Sequence, residues 1–509
     1  MSAEDPNARA EELEAELKQQ RRLNSGLQQQ MARLLDEVAR LQAELAKKRK
    51  KKPKKGTGGK TKAESKKDPP AEAPTAPVRE EPEPAAAEDK GVPRRGPLPD
   101  HLERNTEHHG VTPCRCCSAP RVVQIAPKVI EQRDYVPARL EVHRVELEQY
   151  QCENCDAIHR APMPPTALPN GSLTGRMLAH IAVGKCAMSL PLSRIAEQLA
   201  TMGIRLASST MCNAMGHIAR LVEPIYDRIT ARLFGGPVLL MDATGMKVLQ
   251  PGETGTHRGQ FVVYCNDEVS VFDYNESKHA PHFERFLRVG EDDAYTGKIV
   301  ADSASNMTCL ESGGRIRCGC WQHARNNFKE ARASAPKEAE EAIAWIGTFF
   351  DVERQASDAG DDPDQRLERR VRETIPLMRG FERWMAATQG RFDPDEDLYK
   401  AIQYCINHRI ALRRCLTDGR VPLENNLAER ELGVIGRGRR GYLFAGSDAS
   451  GTQLAKIYTV IRTCQRMAVA PWDYLAWVLP KLSDLPVNRG KGHLNSLTPW
   501  AYRDTVAAI

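Results

Sequence analysis

The stretch between residues 237 and 330 carries the pattern that most constrains the fold of this chain. Three β-rich apolar runs, PVLLMDATGMKVL, QFVVYCND and VSVFDYN, are joined by turns that contain Gly, Asn and Asp, which predicts an antiparallel meander. A helical segment HAPHFERFLRVG follows, then a short strand GKIVADS, another helix and the strand RIRCGC. The predicted order is therefore three strands, helix, strand, helix, strand.

That order suits a ribonuclease H-like α/β fold, in which the first and fourth strands are neighbours. Asp242 lies within or at the end of the first strand, and Asp302 ends the fourth. Their carboxylates are therefore expected to meet at one edge of the sheet. Two converging carboxylates favour a hard divalent cation such as Mg²⁺, which takes oxygen ligands.

A third carboxylate is predicted in the segment LENNLAERELGVIGRGRRGYLFAGS. A helix from about residue 424 would place Asn425 and Glu429 on one face, pointing toward the sheet, while Glu424 and Glu431 point elsewhere. Taken singly, each acid is as well explained as a turn residue or a solvated helix charge. The combination of the three indicates a site.

Residues 1–47 carry a heptad repeat that predicts a coiled coil, with Asn24 at a position that fixes a parallel two-stranded register. The alternative is an amphipathic helix docked on its own protein. The seam consists of Leu13, Leu17, Gln20, Asn24, Leu27, Met31, Leu34, Val38, Leu41 and Leu45.

Residues 48–104 are rich in Lys, Pro, Ala and Glu without an apolar period, which predicts a disordered linker. The run KKRKKKPKK at residues 47–55 holds eight basic side chains in nine positions. It is either a solubilising segment or a contact for the backbone of DNA or RNA.

Two C-x-x-C pairs in residues 105–165, Cys114 with Cys117 and Cys152 with Cys155, are separated by a stretch that reads as short strands. Four thiolates can close a tetrahedral zinc site, and so small a domain needs the metal to fold. The sequence therefore predicts a structural Zn²⁺ in a zinc ribbon. Cys116, or His108 and His109, could substitute for one of these ligands.

Helical patterns dominate three further regions. Residues 192–232, within a helical region at 166–235, read as two helices around a turn at Gly203 with a cap at Ser208 or Ser209, which is compatible with a helix-turn-helix. Residues 335–420 are predicted to be a helical insertion that either covers the site or holds DNA, with a remote packing appendage as the alternative. This insertion divides the catalytic domain into residues 236–334 and 421–465, and 466–509 form a C-terminal helical tail.

Three arginines, Arg437, Arg439 and Arg440, are read as lying around a Gly-rich turn just after the catalytic helix, where they would suit phosphate contacts or form a solvated loop. His323 follows the strand RIRCGC, but a single histidine at a helix start is more often a capped or core residue. We assign it no catalytic role from the sequence.

No apolar run approaches the roughly 20 residues that cross a bilayer, and the N-terminus lacks the layout of a signal peptide. We therefore expect a cytoplasmic protein without a membrane partner. Its 14 cysteines would then lie in a reducing compartment, where clustered cysteines more often bind metal than form disulfides.

The N-terminal zipper, the paired C-x-x-C unit around DYVPARLEVHR, and the segments GCWQHARNNF and NNLAER...GYLFAGS together resemble transposases of the IS66 family of bacterial insertion sequences. The resemblance covers nearly the whole chain. It implies that Asp242, Asp302 and Glu429 form a DDE triad that binds two Mg²⁺ ions, with Arg430 beside the glutamate as a DNA-binding residue. It also implies accessory proteins of the same element and a homodimer or higher oligomer assembled on DNA.

The reaction implied is metal-assisted in-line attack, in which water opens a phosphodiester at the element end and the freed 3′ hydroxyl attacks a target strand. Two alternatives stay open from the residues. A non-catalytic DNA-binding regulator would use only the first 235 residues, and a ribonuclease H-like nuclease would hydrolyse DNA without joining it.

Overall fold

The protein is represented by a computed structural model that describes residues 140–506, except 152–157, 169–170, 251, 253–254, 289–290, 303–309, 312 and 486–493. The predicted coiled coil and linker lie outside these described residues. So do all four cysteines of the predicted zinc site, Cys114, Cys117, Cys152 and Cys155. The strands β1 (Gln149–Gln151) and β2 (Ile158–Arg160), which flank the second cysteine pair, are paired antiparallel.

A six-stranded mixed sheet forms the centre of the described fold. Its strands are β3 (Val238–Leu249), β4 (Thr256–Cys265), β5 (Ser270–Asn275), β6 (Lys298–Val300), β7 (Ile316–Cys318) and β8 (Phe444–Ala445). The spatial order is β5-β4-β3-β6-β7, with β8 pairing parallel to the far end of β3. The first three strands are antiparallel, and β6 and β7 run parallel to β3. The predicted meander and the two later strands are therefore confirmed.

Helices surround the sheet and make up most of the described chain. Before the sheet come α1 (Gly175–Cys186), α2 (Leu192–Thr201), α3 (Ser208–Leu221) and α4 (Glu223–Phe234). Next are α5 (Ala280–Phe286), α6 (Trp321–Ala331), α7 (Pro336–Asp358), α8 (Pro363–Arg369), α9 (Ile375–Gln389), α10 (Asp397–Asn407) and α11 (Arg409–Arg413). The last four are α12 (Asn426–Tyr442), α13 (Asp448–Arg466), α14 (Pro471–Ser483) and α15 (Pro499–Val506).

The helices before the sheet differ from the sequence-based prediction in two details. The long second helix is divided into α3 and α4 at Val222, because Pro224 lies in the first turn of α4 and lacks the backbone N–H that a continuing helix needs. The cap of α3 is Ala207, and neither Ser208 nor Ser209 caps it. Gly203 has a φ of +93°, as the predicted turn requires.

Both faces of the sheet are covered, because β4 is buried along its last seven residues. Phe261 and Tyr264 are three positions apart and therefore point to opposite faces. The Phe261 ring contacts Tyr458 on α13, whereas the Tyr264 ring stacks on Phe286 of α5 at a centroid distance of 4.1 Å. Asp242 pairs with Val263 and so shares the α13 face with Phe261.

The predicted insertion is helical, formed by α7 to α11 and short π and 3₁₀ segments. An aromatic cluster fixes it to α6, since Trp321 and Phe328 on α6 contact Phe349 on α7 and Phe381 on α9. The C-terminal α14 packs on α1, and α13 packs on both β5 and α3. Within the described ranges, none of the helices combines the length and apolar character that a bilayer crossing requires.

The return of the chain from the insertion is fixed to β6 by the buried carboxylate of Asp418. Lys298 on β6 and Arg420 both donate to this carboxylate, and Arg370 donates to its backbone carbonyl at 3.1 Å. Hydrogen bonds from Arg420, followed by that from Lys298, hold the pKa of Asp418 well below its usual range. This ion pair therefore sets where the chain re-enters the sheet on its way to α12.

We expect Asp418→Asn to destabilise the fold by about 3 kcal/mol at pH 7, since Lys298 would keep a largely buried charge without its partner. The contribution of a carboxyl with a lowered pKa is present above the unfolded value near 4 and is lost as the pH falls further. The deficit in melting temperature should therefore narrow below about pH 4. Asp395→Asn, at an exposed carboxyl, is the matched control. Equal melting temperatures for the two variants would contradict the role of Asp418 in holding the chain return to β6.

Candidate active site

Asp242 and Asp302 are neighbours because of the register between β3 and β6. Leu240 is paired with Val300 in the parallel ladder. Asp242 and Asp302 each lie two residues beyond that pair, and residues two apart point to the same face of a sheet. The structure therefore brings these two predicted site residues together, at the end of β6.

The carboxylate of Asp242 lies in a half-buried, crowded environment. Its Oδ1 accepts a hydrogen bond from the backbone N–H of Ala243 at 2.8 Å. Burial raises the pKa of Asp242 to about 6, and the charges of Glu429 and Asp302 add to this effect, while the Ala243 N–H and His323 oppose it. The repulsion among the three acids shows that they share one electrostatic environment.

Glu429 lies in the first turn of α12, and the start of that helix is fixed to β3 by one hydrogen bond. Asn425, the fully buried residue before the helix, donates from Nδ2 to the carbonyl of Met241 at 2.7 Å. Met241 immediately precedes Asp242. The first turn of a helix favours negative charge, so α12 presents Glu429 beside the aspartates at its positive end.

Two residues from outside the predicted triad contact it. Tyr404 on α10 donates its hydroxyl to Asp302 Oδ1 at 3.2 Å. His323 on α6 places Nε2 3.9 Å from Glu429 Oε1. Hydrogen bonding to Cys320 is the largest cause that raises the pKa of His323 to about 9, and the charges of Asp302 and Glu429 add to it. An imidazolium therefore faces the acids at neutral pH.

The acids differ in how open they are. The side chain of Glu429 is 40% exposed, while Asp242, within β3, and Asp302, just after β6, are half-buried. In the part of the chain that the structure describes, no three His, Cys, Asp or Glu side chains meet in an arrangement that encloses a metal ion. Asp242 interacts with the other two carboxylates through their charges.

The chain matches the family model described as "Transposase IS66 family" over residues 170–453. This match covers more than half of the chain and includes both aspartates, Glu429 and the insertion. The chain belongs to the IS66 transposase family. Membership indicates an enzyme that cuts DNA, with DNA as its partner, and suggests dependence on a divalent metal ion.

Three relatives from Sinorhizobium fredii (strain NBRC 101917 / NGR234) are similar to this chain. The uncharacterized proteins y4hP, y4qI and y4jD are 28%, 28% and 26% identical over 444, 444 and 433 residues. The matches span 82%, 82% and 80% of this chain and 78%, 80% and 82% of the relatives. The likeness to these proteins therefore extends well beyond the acidic site.

The arginines that follow Glu429 in this transposase do not surround a turn, contrary to the sequence-based interpretation, because α12 continues to Tyr442. Helical geometry separates them by role. Arg430, Arg437 and Arg440 are exposed and fall on one side of the helix. Arg439 is half-buried and donates to the carbonyl of Gly245 on β3.

The glycines near the end of α12 explain why the helix continues through a Gly-rich sequence. A Cβ atom at Gly441 would lie 2.3 Å from the carbonyl oxygen of Ser189, and one at Gly438 would collide with the Tyr442 ring. These glycines allow α12 to pack closely against its neighbours. Their packing compensates for the cost of about 1 kcal/mol that glycine imposes in a helix.

Three residues of the site were not assigned a role from the sequence. Tyr404 lies in the insertion, 102 positions from Asp302, and no local pattern marks it. Asn425 was placed on the same helical face as Glu429, whereas it precedes the helix and bonds to β3. His323 was set aside as a core residue, and its place among the acids depends on the packing of α6.

Removing the charge of Asp242 should stabilise the metal-free protein. The pKa of Asp242 is raised to about 6 in the folded state, so its ionisation lowers the free energy of unfolding as the pH rises from the unfolded pKa near 4. In EDTA at pH 7 we therefore expect Asp242→Asn to raise the free energy of unfolding, by up to about 2 kcal/mol. The gain should disappear at pH 4. Thermal melts of Asp242→Asn and wild type at both pH values provide the measurement. If the variant melts below wild type at pH 7, the charged Asp242 does not destabilise the fold.

Proposed function

We propose that this chain is a DDE-type transposase that catalyses metal-dependent DNA strand cleavage and strand transfer during movement of an insertion sequence. The observation that carries this proposal is the convergence of Asp242, Asp302 and Glu429 from two sheet strands and one helix. The strand order β5-β4-β3-β6-β7, with three antiparallel strands followed by two parallel ones, supports a ribonuclease H-like fold for the catalytic domain.

The residues present fit Mg²⁺. Oxygen donors from carboxylates are the ligands that Mg²⁺ takes in proteins. Burial, followed by the charges of Glu429 and Asp302, raises the pKa of Asp242, and a divalent cation would offset both effects on the charged carboxylate. Asp242, Asp302 and Glu429 would hold the metal. When bound, two Mg²⁺ ions would supply Lewis-acid stabilisation of the attacking and leaving oxygens.

Neighbouring side chains position the proposed metal ligands and add a positive charge beside them. Tyr404 holds one oxygen of Asp302, which limits the rotation of that carboxylate. The Asn425 bond keeps the first turn of α12 next to Asp242, so Glu429 stays close to the aspartates. His323 carries a positive charge beside the acids, where it suits contact with a phosphate oxygen of DNA.

Further parts of the assembly belong to the same proposal. Arg430, Arg437, Arg439 and Arg440 were predicted to bind DNA, and exposure favours the first, second and fourth for phosphate contacts. We propose that Cys114, Cys117, Cys152 and Cys155 bind a structural Zn²⁺. We also propose that the N-terminal heptads form a homodimer or higher oligomer, and that accessory proteins of the same element take part.

The test is strand cleavage and joining on labelled element-end DNA with Mg²⁺. Because each acid is a proposed ligand, Asp242→Asn, Asp302→Asn and Glu429→Gln are each expected to lower cleavage by at least about 10³-fold while DNA binding is retained. Glu424→Gln is the matched control, since Glu424 is a half-buried acid next to the same helix. It should cut at the wild-type rate.

The products distinguish the alternatives. Cut strands without joined strands from the wild-type chain, with the accessory proteins supplied, would indicate a nuclease. DNA binding that is unaffected by Mg²⁺ or by Asp242→Asn, together with no cutting by any variant, would indicate a regulator. Equal cutting by Glu429→Gln and wild type would remove Glu429 from the triad.

The α12 arginines give a second test. Arg437→Ala should weaken DNA binding and reduce the slope of log K against log salt concentration by about 0.9, as expected for one lost phosphate contact. Arg439→Ala removes an equal charge from the same helix, but it breaks the bond to Gly245 and should lower the melting temperature instead. Binding measured by fluorescence anisotropy at four salt concentrations checks both. The assignment fails if the two variants have the same salt slope.

A further inference from the structure

A cavity lies in the insertion, and none of the three acids lines it. The cavity has a volume of about 480 Å³ and is bounded by α9, α10, α11 and the first residue of α6. Arg379 and Arg383 line it from α9, and Arg409 and Arg413 line it from α11. Each pair has the i, i+4 spacing that places both side chains on one helical face.

The charges around the cavity are strongly unbalanced. Glu382 is the acid in its lining, and it accepts from Arg409 at 3.0 Å and lies 3.4 Å from Arg413. Arg379 and Arg383 form no ion pair with any described residue, and both are exposed. The cavity therefore presents an excess of positive charge at its rim, with the α9 side the less neutralised.

The floor of the cavity is apolar. Its residues share deep burial, with at most 5% of each side chain exposed, and they are Trp321, Met378, Met385, Cys405 and Leu412. Ile406, which is 42% exposed, extends this apolar surface to the rim. A ligand that matches both parts has an anionic group for the rim and a flat apolar body for the floor.

We propose that this cavity binds an unpaired nucleotide of the DNA strand that is cut at the acids, and this inference rests on the proposed function. A nucleotide combines a phosphate, which Arg binds through paired N–H donors, with a base that buries its ring against apolar and guanidinium surfaces. A volume of 480 Å³ lies within the range of sites for ligands of this size.

The same two helices carry both the cavity and contacts to the acids. On α6, Trp321 lines the cavity and His323 faces Glu429. On α10, Cys405 lines the cavity and the preceding Tyr404 bonds to Asp302. A DNA strand that extends past the acids would therefore meet the two helices that also line this basic cavity.

The experiment measures binding of the full chain, in EDTA, to three fluorescein-labelled duplexes of equal length. One is blunt, one carries three unpaired nucleotides at its end, and one carries three abasic nucleotides there. We compare wild type with Arg379→Gln/Arg383→Gln and with the control Arg354→Gln/Arg391→Gln. The control loses the same charge from the insertion at arginines paired with Asp351 and Glu338 outside the cavity.

Wild type should bind the unpaired nucleotides roughly tenfold more tightly than the abasic ones, because only the former offer a base to the floor. The Arg379→Gln/Arg383→Gln variant should lose that preference and lower the salt slope by up to about 1.4 for the two lost phosphate contacts. The control should keep the preference. Equal melting temperatures of the two double variants show that the loss is not unfolding.

Two outcomes would overturn the cavity assignment. One is a wild type that binds all three duplexes equally. The other is a cavity variant whose affinities for the blunt duplex and for the duplex with unpaired nucleotides fall by the same factor relative to wild type. That result would place these arginines on the backbone of duplex DNA. Cleavage with Mg²⁺ is measured in parallel on element-end DNA with the accessory proteins supplied. Its absence in wild type would overturn the proposed function, while the binding comparison would still decide the cavity.

Discussion

The hydrogen bond from the Asn425 side-chain amide to the Met241 carbonyl joins two segments that are 184 positions apart, and the site depends on it. Met241 precedes one predicted ligand, and α12, which carries Glu429, begins immediately after Asn425. A buried hydrogen bond contributes about 1 kcal/mol, but leaving a buried carbonyl unpaired costs more. The bond therefore contributes little to the free energy of unfolding, but it positions the helix that carries Glu429. That positioning matters because a small displacement of a catalytic group lowers the reaction rate steeply.

Buried negative charge has opposite effects on stability at two acids of this fold. Burial and two neighbouring carboxylates raise the pKa of Asp242, whereas hydrogen bonding lowers the pKa of Asp418 at the nearby chain return. One acid therefore costs stability in its charged form and the other contributes it. The chain places repulsion where a bound cation would relieve it, and attraction where the insertion is held to β6.

Apolar runs bounded by turn residues were sufficient to predict β3 to β7, although not the short strand β8. The register that pairs Leu240 with Val300 explains why Asp242 and Asp302 meet. The insertion was recognised as helical, but nothing local predicted that Tyr404 would reach Asp302 or that α12 would continue through its glycines. Those features depend on contacts between distant residues, such as Gly441 against Ser189, which a periodic pattern does not encode.

The insertion is connected to the site by packing, which argues against a remote appendage. Trp321 donates from its backbone to Leu423 at 2.8 Å and from its indole to Leu412 at 3.0 Å, so the start of α6 touches both the end of the insertion and the approach to α12. Phe349 and Phe381 contact the same indole ring from the insertion. A movement of the insertion would therefore displace α6, and with it His323 and the distance to Glu429.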